Sequence, residues 1–311
     1  MNPAAAGGST GRRWPEIAHR AAARGLDGDA LISDAPGRLT PLAAEAVADG
    51  ATRLVVVGGD GSVNEVVNGI AGAQGVDLAV IPRGTGWDFV RTYDIPRDLD
   101  AAIDVALTGD VREIDVGVVS YRTWSGDEAT SRFANVASAG ISGAIARRAN
   151  ESSKALGGKV SYYWATLAVF LGWQAGELRV TVDAETRSGR MIDAMVCNGR
   201  YLGGGMMMCP DAEPDDGLFD VLLIGDVTKR DLAFVLPKTY RGKHLPHPRL
   251  ELLRGRVVTV DADEPLPIEL DGEQPGTTPA RIEIEPRTLR VLVPRGGARS
   301  GSPQAAGLRG G

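Results

Sequence analysis

The run Leu54-Val55-Val56-Val57-Gly58-Gly59-Asp60-Gly61-Ser62-Val63-Asn64-Glu65 confines this chain to a small set of folds. Its β-branched residues predict a buried strand that ends abruptly at a glycine pair. Ser62 with Glu65 three residues on predicts a capping box, and Val63, Val66, Val67 and Ile70 recur beyond it at helical spacing. Strand, glycine turn and helix in that order aim free backbone N–H groups and the positive end of a helix dipole above the strand, which suits phosphate. Gly58, Gly59 and Gly61 let the backbone come close to such a group. Asp60 puts a carboxylate where a magnesium ion or a substrate hydroxyl could be held. Glycine turns after strands are also common in α/β folds without any ligand, and neither a Gly-Lys-Ser/Thr sequence nor the dinucleotide spacing follows here.

The pattern then repeats. Leu78-Ala79-Val80-Ile81 is a second short apolar strand, followed by Pro82-Arg83-Gly84-Thr85-Gly86-Trp87-Asp88-Phe89, with Thr85 as N-cap and Asp88 at N3 of a second helix. Two glycine turns at the carboxyl ends of parallel strands would line one crevice, the usual ligand site of an open α/β sheet. Around them, helices are expected from Trp14 to Arg24, Pro41 to Asp49 and Asp98 to Leu107, with a short strand over Leu26 to Ser33 and another over Val111 to Gly117.

Past Gly117 the rhythm changes to successive strands, expected at Arg132 to Ala137, Glu177 to Val182, Met191 to Cys197, Leu218 to Ile224, Arg256 to Val260, Pro267 to Leu270 and Arg281 to Ile284. Strands in succession predict a β-sandwich. One helix, Lys159 to Gly172, interrupts them; its aromatic residues fit a packed core helix or the wall of an acyl pocket. Leu289 to Val293 returns as a last strand to the first domain, and the Gly-, Ser- and Arg-rich end is expected to be disordered. The domains are therefore 1–116 with about 286–294, then 117–285, then a tail over 295–311.

Charge and composition remove several function classes. The chain has 311 residues, 43% hydrophobic and 24% charged, with no apolar run of membrane-spanning length and no signal-peptide pattern. A net charge of −6 argues against nucleic acid as the main partner. The charge is uneven: Lys229 to Arg256 holds eight Lys and Arg against Asp231 and Glu251, a basic segment that suits anionic headgroups or is simply solvated. Cys197 and Cys209 lack a CxxC partner, which points to a reducing compartment, and the three histidines lie outside every motif.

Gly-Gly-Asp-Gly-Ser-x-Asn-Glu at 58–65 resembles the nucleotide signature of the diacylglycerol kinase catalytic-domain family, which includes bacterial lipid kinases and sphingosine kinases. Asn2-Pro3-Ala4 with the glycines after it, Gly84-Thr85-x-x-Asp88-Phe89, Pro210 to Phe219 with its Asp215-Asp216-Gly217-Leu218, and Asp271-Gly272-Glu273 follow in family order. The resemblance departs at two points. Trp87 stands where asparagine is usual, and only Met1 precedes a loop that in the family follows a first strand, so an upstream start restoring that strand is expected.

The resemblance implies a Rossmann-like α/β N-terminal domain of the NAD kinase and diacylglycerol kinase type and a mostly antiparallel β-sandwich C-terminal domain. It implies an ATP-dependent lipid kinase acting on diacylglycerol or a sphingoid-type lipid, with ATP and Mg2+. Asn2, Gly58, Gly59, Asp60, Gly61, Ser62, Asn64, Glu65, Gly84 and Thr85 would hold the nucleotide. Asp60, Asp88 and Asp115 would organise magnesium, while Asp216 and the carbonyl of Leu218 would hold a structural magnesium. Asp-x-Gly at a strand end and an acidic turn are also ordinary turns. Asp271 is the first choice of base, Glu273 tunes it or the metal, and Asp60 is the rival base. The expected partner is a lipid at the membrane surface, met through the 229–256 segment by a cytoplasmic protein on the inner face, a homodimer being one option. NAD kinase and a non-catalytic nucleotide- or lipid-binding protein are the alternatives.

Overall fold

Two long strands organise the molecule. In the computed structural model, which describes residues 1–156, 169, 170 and 172–296, β3 (Asp110–Thr123) and β14 (Gly276–Val293) pair antiparallel along almost their whole length and run through both domains. In the first domain β1 (Arg53–Gly58), β2 (Asp77–Pro82) and the second half of β14 are parallel neighbours. Buried Val56, Val57, Leu78, Val80 and Val291 explain why these read as apolar runs. The layers over the sheet are α1 (Ser9–Ala23), α2 (Leu39–Ala48), α3 (Asp60–Ile70), the short α4 (Asp88–Thr92) and α5 (Leu99–Thr108).

The second domain continues the same sheet through β12 (Val257–Ala262), β6 (Gly176–Val182), β7 (Glu185–Cys197), β10 (Phe219–Gly225) and β11 (Leu250–Gly255). Further strands are β4 (Glu128–Phe133) beside β3, and β5 (Val136–Gly140) between β7 and β13 (Ile268–Leu270). One core gathers Phe133, Val180, Val196, Phe219, Val258 and Ile282 from facing sides of this folded sheet, as expected of a sandwich. The outer face of β5, β7 and β10 is covered by α6 (Ile141–Leu156) and by a small hairpin of β8 (Tyr201–Leu202) and β9 (Met206–Met207). Helix α7 (Lys229–Thr239) follows β10 and is closed by a Thr228–Asp231 capping box.

Several sequence expectations shift. No strand forms over Leu26 to Ser33; Met1 alone lies beside it, giving two hydrogen bonds, to Leu31 O (2.7 Å) and from Ser33 N (3.0 Å). The expected strand Arg132 to Ala137 is broken at Ala134 and Asn135, for a reason that lies in the site. α3 begins at Asp60 with Gly59 as N-cap, and α4 at Asp88 with Trp87 as N-cap, so neither Ser62 nor Thr85 caps a helix. The expected helix over Lys159 to Gly172 and the tail fall largely outside the described residues. No helix among the described residues is long and apolar enough to cross a membrane.

Candidate active site

The two glycine loops meet. A Cβ on Gly84 would lie 2.6 Å from Gly59 Cα, and Arg83 N donates to Gly58 O at 2.7 Å, so only glycine backbone lets them touch. Asn2 joins them: its Nδ2 donates to Ser62 Oγ (3.0 Å), while a Cβ on Gly58 would strike that same serine. Thr85 is exposed at the rim. Gly58, Gly59, Gly61, Gly84, Ser62 and Asn2 thus form one floor at the carboxyl ends of β1 and β2.

Asp60 reaches across this floor. Its two oxygens accept Trp87 N (2.9 Å) and Phe89 N (3.1 Å), the free donors at the start of α4. That contact holds Trp87 at φ 61°, a left-handed conformation better suited to the asparagine usual there. Asp88 lies on the other side of Gly86, where a Cβ would meet both Asp60 Oδ2 (2.5 Å) and Asp88 Oδ2 (3.5 Å). Asp88 also accepts from Arg91 (2.9 Å) and from Gly204 N (2.7 Å), tying the first domain to the β8–β9 turn. Burial and the neighbouring Asp60 charge push the Asp88 carboxyl up to about 6, and burial raises Asp60.

Asp115 is elsewhere. Completely buried, it accepts Gly217 N and Arg287 N, both at 2.8 Å, pinning the acidic turn to the irregularity where β14 crosses between domains. The three carboxylates expected to share magnesium are not gathered at one point; among the described residues no three acidic, histidine or cysteine side chains are placed to hold a metal. Asp216 pairs with Arg254 and accepts Leu218 N (3.0 Å), so a guanidinium occupies the place expected for a structural cation. Arg112 neutralises Asp215 at 2.9 Å. Part of the positive charge of the basic 229–256 segment is therefore balanced by the protein's own carboxylates.

The Asp271-Gly272 pair forms a two-residue hairpin turn, with φ 50° and 96° and reciprocal bonds between Leu270 and Glu273. The Asp271 carboxylate accepts four hydrogen bonds: Asn64 Nδ2 (3.1 Å) and Ala134 N (2.9 Å) on one oxygen, Asn135 N (3.0 Å) and Val136 N (2.9 Å) on the other. Three consecutive N–H groups wrapped around one anion explain the break between β4 and β5. Burial raises its pKa and the four donors oppose the rise.

Glu273 is free by contrast. Its carboxylate has no hydrogen-bond partner among the described residues and faces Gly61, where a Cβ would stand 3.0 Å from Oε1. Glu273 remains exposed to solvent, yet the protein packed around its carboxylate first, then the Glu65 charge, raises its pKa. Glu65 itself turns to α2, accepting Leu39 N at 2.9 Å, and Asn64 turns to the second domain. Asn68, one turn further along α3, went unnoticed in the sequence. Its amide pairs with Arg132 O (2.9 Å) and Arg132 N (2.8 Å), as a strand partner would. Only its helical spacing from Asn64 signals it.

A profile described as diacylglycerol kinase catalytic domain matches residues 1–119, and one described as YegS C-terminal NAD kinase beta sandwich-like domain matches residues 135–293. The chain is 30% identical to a Shewanella frigidimarina protein named "Probable lipid kinase YegS-like", over 80% of this chain and 79% of that one. It is 26% identical to a Staphylococcus carnosus diacylglycerol kinase over 91% and 90% of the two chains. The fold matches that of a Bacillus anthracis protein described as a candidate diacylglycerol kinase, with a TM-score of 0.75, 25% identity and 96% coverage of each chain.

Proposed function

Because this chain belongs to the family of diacylglycerol kinases and YegS-like lipid kinases, we propose that it transfers the γ-phosphate of ATP, with magnesium, to the hydroxyl of a diacylglycerol or sphingoid-type lipid, and that Glu273 takes the hydroxyl proton. The observation that carries this reading is the free Glu273 carboxylate opposite the glycine loop. A general base needs an open oxygen and a pKa drawn toward neutrality. Asp271, the first expectation from sequence, would lose a hydrogen bond on accepting a proton, and Asp60 is held by the α4 donors. We assign Asp271 to positioning: it fixes the turn that carries Glu273.

In this reading the lipid oxygen forms its bond to Pγ as its proton passes to a Glu273 oxygen, and the bond from Pγ to the bridging oxygen breaks to release ADP. The glycine loops and the start of α3 place N–H donors around the phosphates, where positioning and charge neutralisation do most of the catalytic work. Asp60 and Asp88 would hold a nucleotide-borne magnesium: their carboxylates come together beside Gly86, and their mutual repulsion, which Arg91 offsets only in part, is what a divalent cation relieves. When bound, the ion supplies charge neutralisation on the phosphates. The Asp216–Leu218 turn does not fit a resident magnesium, since Arg254 already balances it.

The test is transfer of labelled phosphate from ATP, with diacylglycerol, sphingosine and NAD as separate acceptors. Label in an organic-extractable product that requires magnesium is expected. Label only in phosphorylated NAD would overturn the lipid reading.

A further inference from the structure

The outward side of α7 differs from the rest of this acidic protein. Arg230, Phe234 and Lys238 follow one another at four-residue spacing and are all exposed, while Thr239 on the opposite side is buried. Phe234 is 74% exposed, the most exposed large apolar residue described. Lys229, Arg241 and Lys243 extend the cationic surface around it. None of these five cations has an ion pair among the described residues. The acids nearby are committed: Asp231 caps its own helix and faces His247, Asp226 pairs with Arg190, and Glu251 with Arg187. An aromatic ring amid unpaired cations matches the boundary between acyl chains and anionic headgroups.

This surface is joined to the site. Just past α7, Gly242 packs against Met207 and Pro210, a Cβ there meeting Met207 Sδ at 3.0 Å, and His244 Nε2 bonds Met208 O at 3.1 Å. Met207 belongs to the hairpin whose turn gives Gly204 N to Asp88. The cationic helix, the methionine hairpin and the nucleotide loops therefore follow one another without a gap.

We infer that α7 and residues 240–243 dock on an anionic lipid bilayer, with Phe234 inserted among the acyl chains and Arg230, Lys238, Arg241 and Lys243 on the headgroups. The inference rests on the lipid kinase reading for its purpose, while binding can be measured apart from catalysis. The full chain is sedimented with vesicles of phosphatidylglycerol and phosphatidylcholine (1:1), or of phosphatidylcholine alone, without ATP. Binding to the anionic vesicles alone is expected. Phe234→Ala should lower it about tenfold. The triple variant K238Q/R241Q/K243Q should lower it about a hundredfold, each cation being worth about fivefold at the surface. Both variants should phosphorylate a water-soluble short-chain diacylglycerol at the wild-type rate. No binding by the wild type, or equal binding by the variants, overturns the docking surface even if the soluble lipid is phosphorylated. Binding that responds to these substitutions, with no lipid phosphorylated, leaves the surface standing and removes the catalytic reading.

Discussion

Glu273 faces Gly61 across the two domains, its Oε1 standing 3.0 Å from where a Cβ on that glycine would lie. The glycine is needed less for its backbone than for the space it leaves to the carboxylate. Gly61→Ala should displace a flexible side-chain end at little cost in stability. Misplacing a reacting atom by a fraction of an ångström is costlier for rate, so turnover should fall about ten- to a hundredfold with Tm nearly unchanged. Steady-state kinetics and calorimetry on the same preparation check both halves.

Asp271→Asn should behave differently from any substitution at Glu273. An amide offers one acceptor oxygen and turns an N–H2 toward backbone donors, so at least two of the four hydrogen bonds are lost. A loss of about 3 kcal/mol is expected, visible in urea unfolding.

Asn68 holds the first domain to Arg132 through both ends of its amide. Asn68→Ala should cost about 1 kcal/mol, leaving Arg132 N without its side-chain acceptor while Arg132 O keeps the Asn64 amide at 3.0 Å. Asn68→Asp, keeping the acceptor only, should lie between wild type and alanine in thermal unfolding.

The acidic turn should not depend on magnesium. With Arg254 against Asp216, a chelator should leave the Tm of the nucleotide-free protein unchanged, whereas Arg254→Ala should lower it. A chelator-induced drop in the wild type would restore the structural ion to that turn.

Beneath the Glu273 turn lie two buried acids outside the reacting cleft. Glu269 accepts Gly272 N and Ser138 Oγ, and Asp193 accepts Ser142 N at 2.9 Å. Burial pushes their carboxyls up to about 8 and about 7. Both folded values lie above the unfolded ones near 4, so the folded chain holds more protons between pH 4 and 8. Stability contributed by these groups is full below about pH 4 and is lost as pH rises through 7 to 8. Glu269→Gln should flatten the upper part of that decline in a pH series of unfolding midpoints.

Much of this architecture is legible in the sequence because it depends on local pattern. The Leu54 to Glu65 run marks the strand, turn and helix at the nucleotide floor, and Asp271-Gly272 marks a hairpin turn. What the sequence hid are side-chain choices decided at long range. Ser62 and Glu65 have the spacing of a capping box, yet Ser62 accepts from Asn2 and Glu65 reaches Leu39. Asp60, Asp88 and Asp115 read as one metal set, but Asp115 sits at the crossing of β14, which no local spacing reveals. Arg132 to Ala137 reads as one strand because the residue that breaks it, Asp271, is 135 to 137 positions away.

The most direct test of the central claim is phosphate transfer to lipid by Glu273→Gln, measured beside the affinity of that variant for magnesium–ATP. The proposed role predicts unchanged nucleotide affinity and Tm, with turnover reduced by about a hundredfold or more. Turnover within a few fold of wild type would contradict it and return the proton to Asp271 or Asp60.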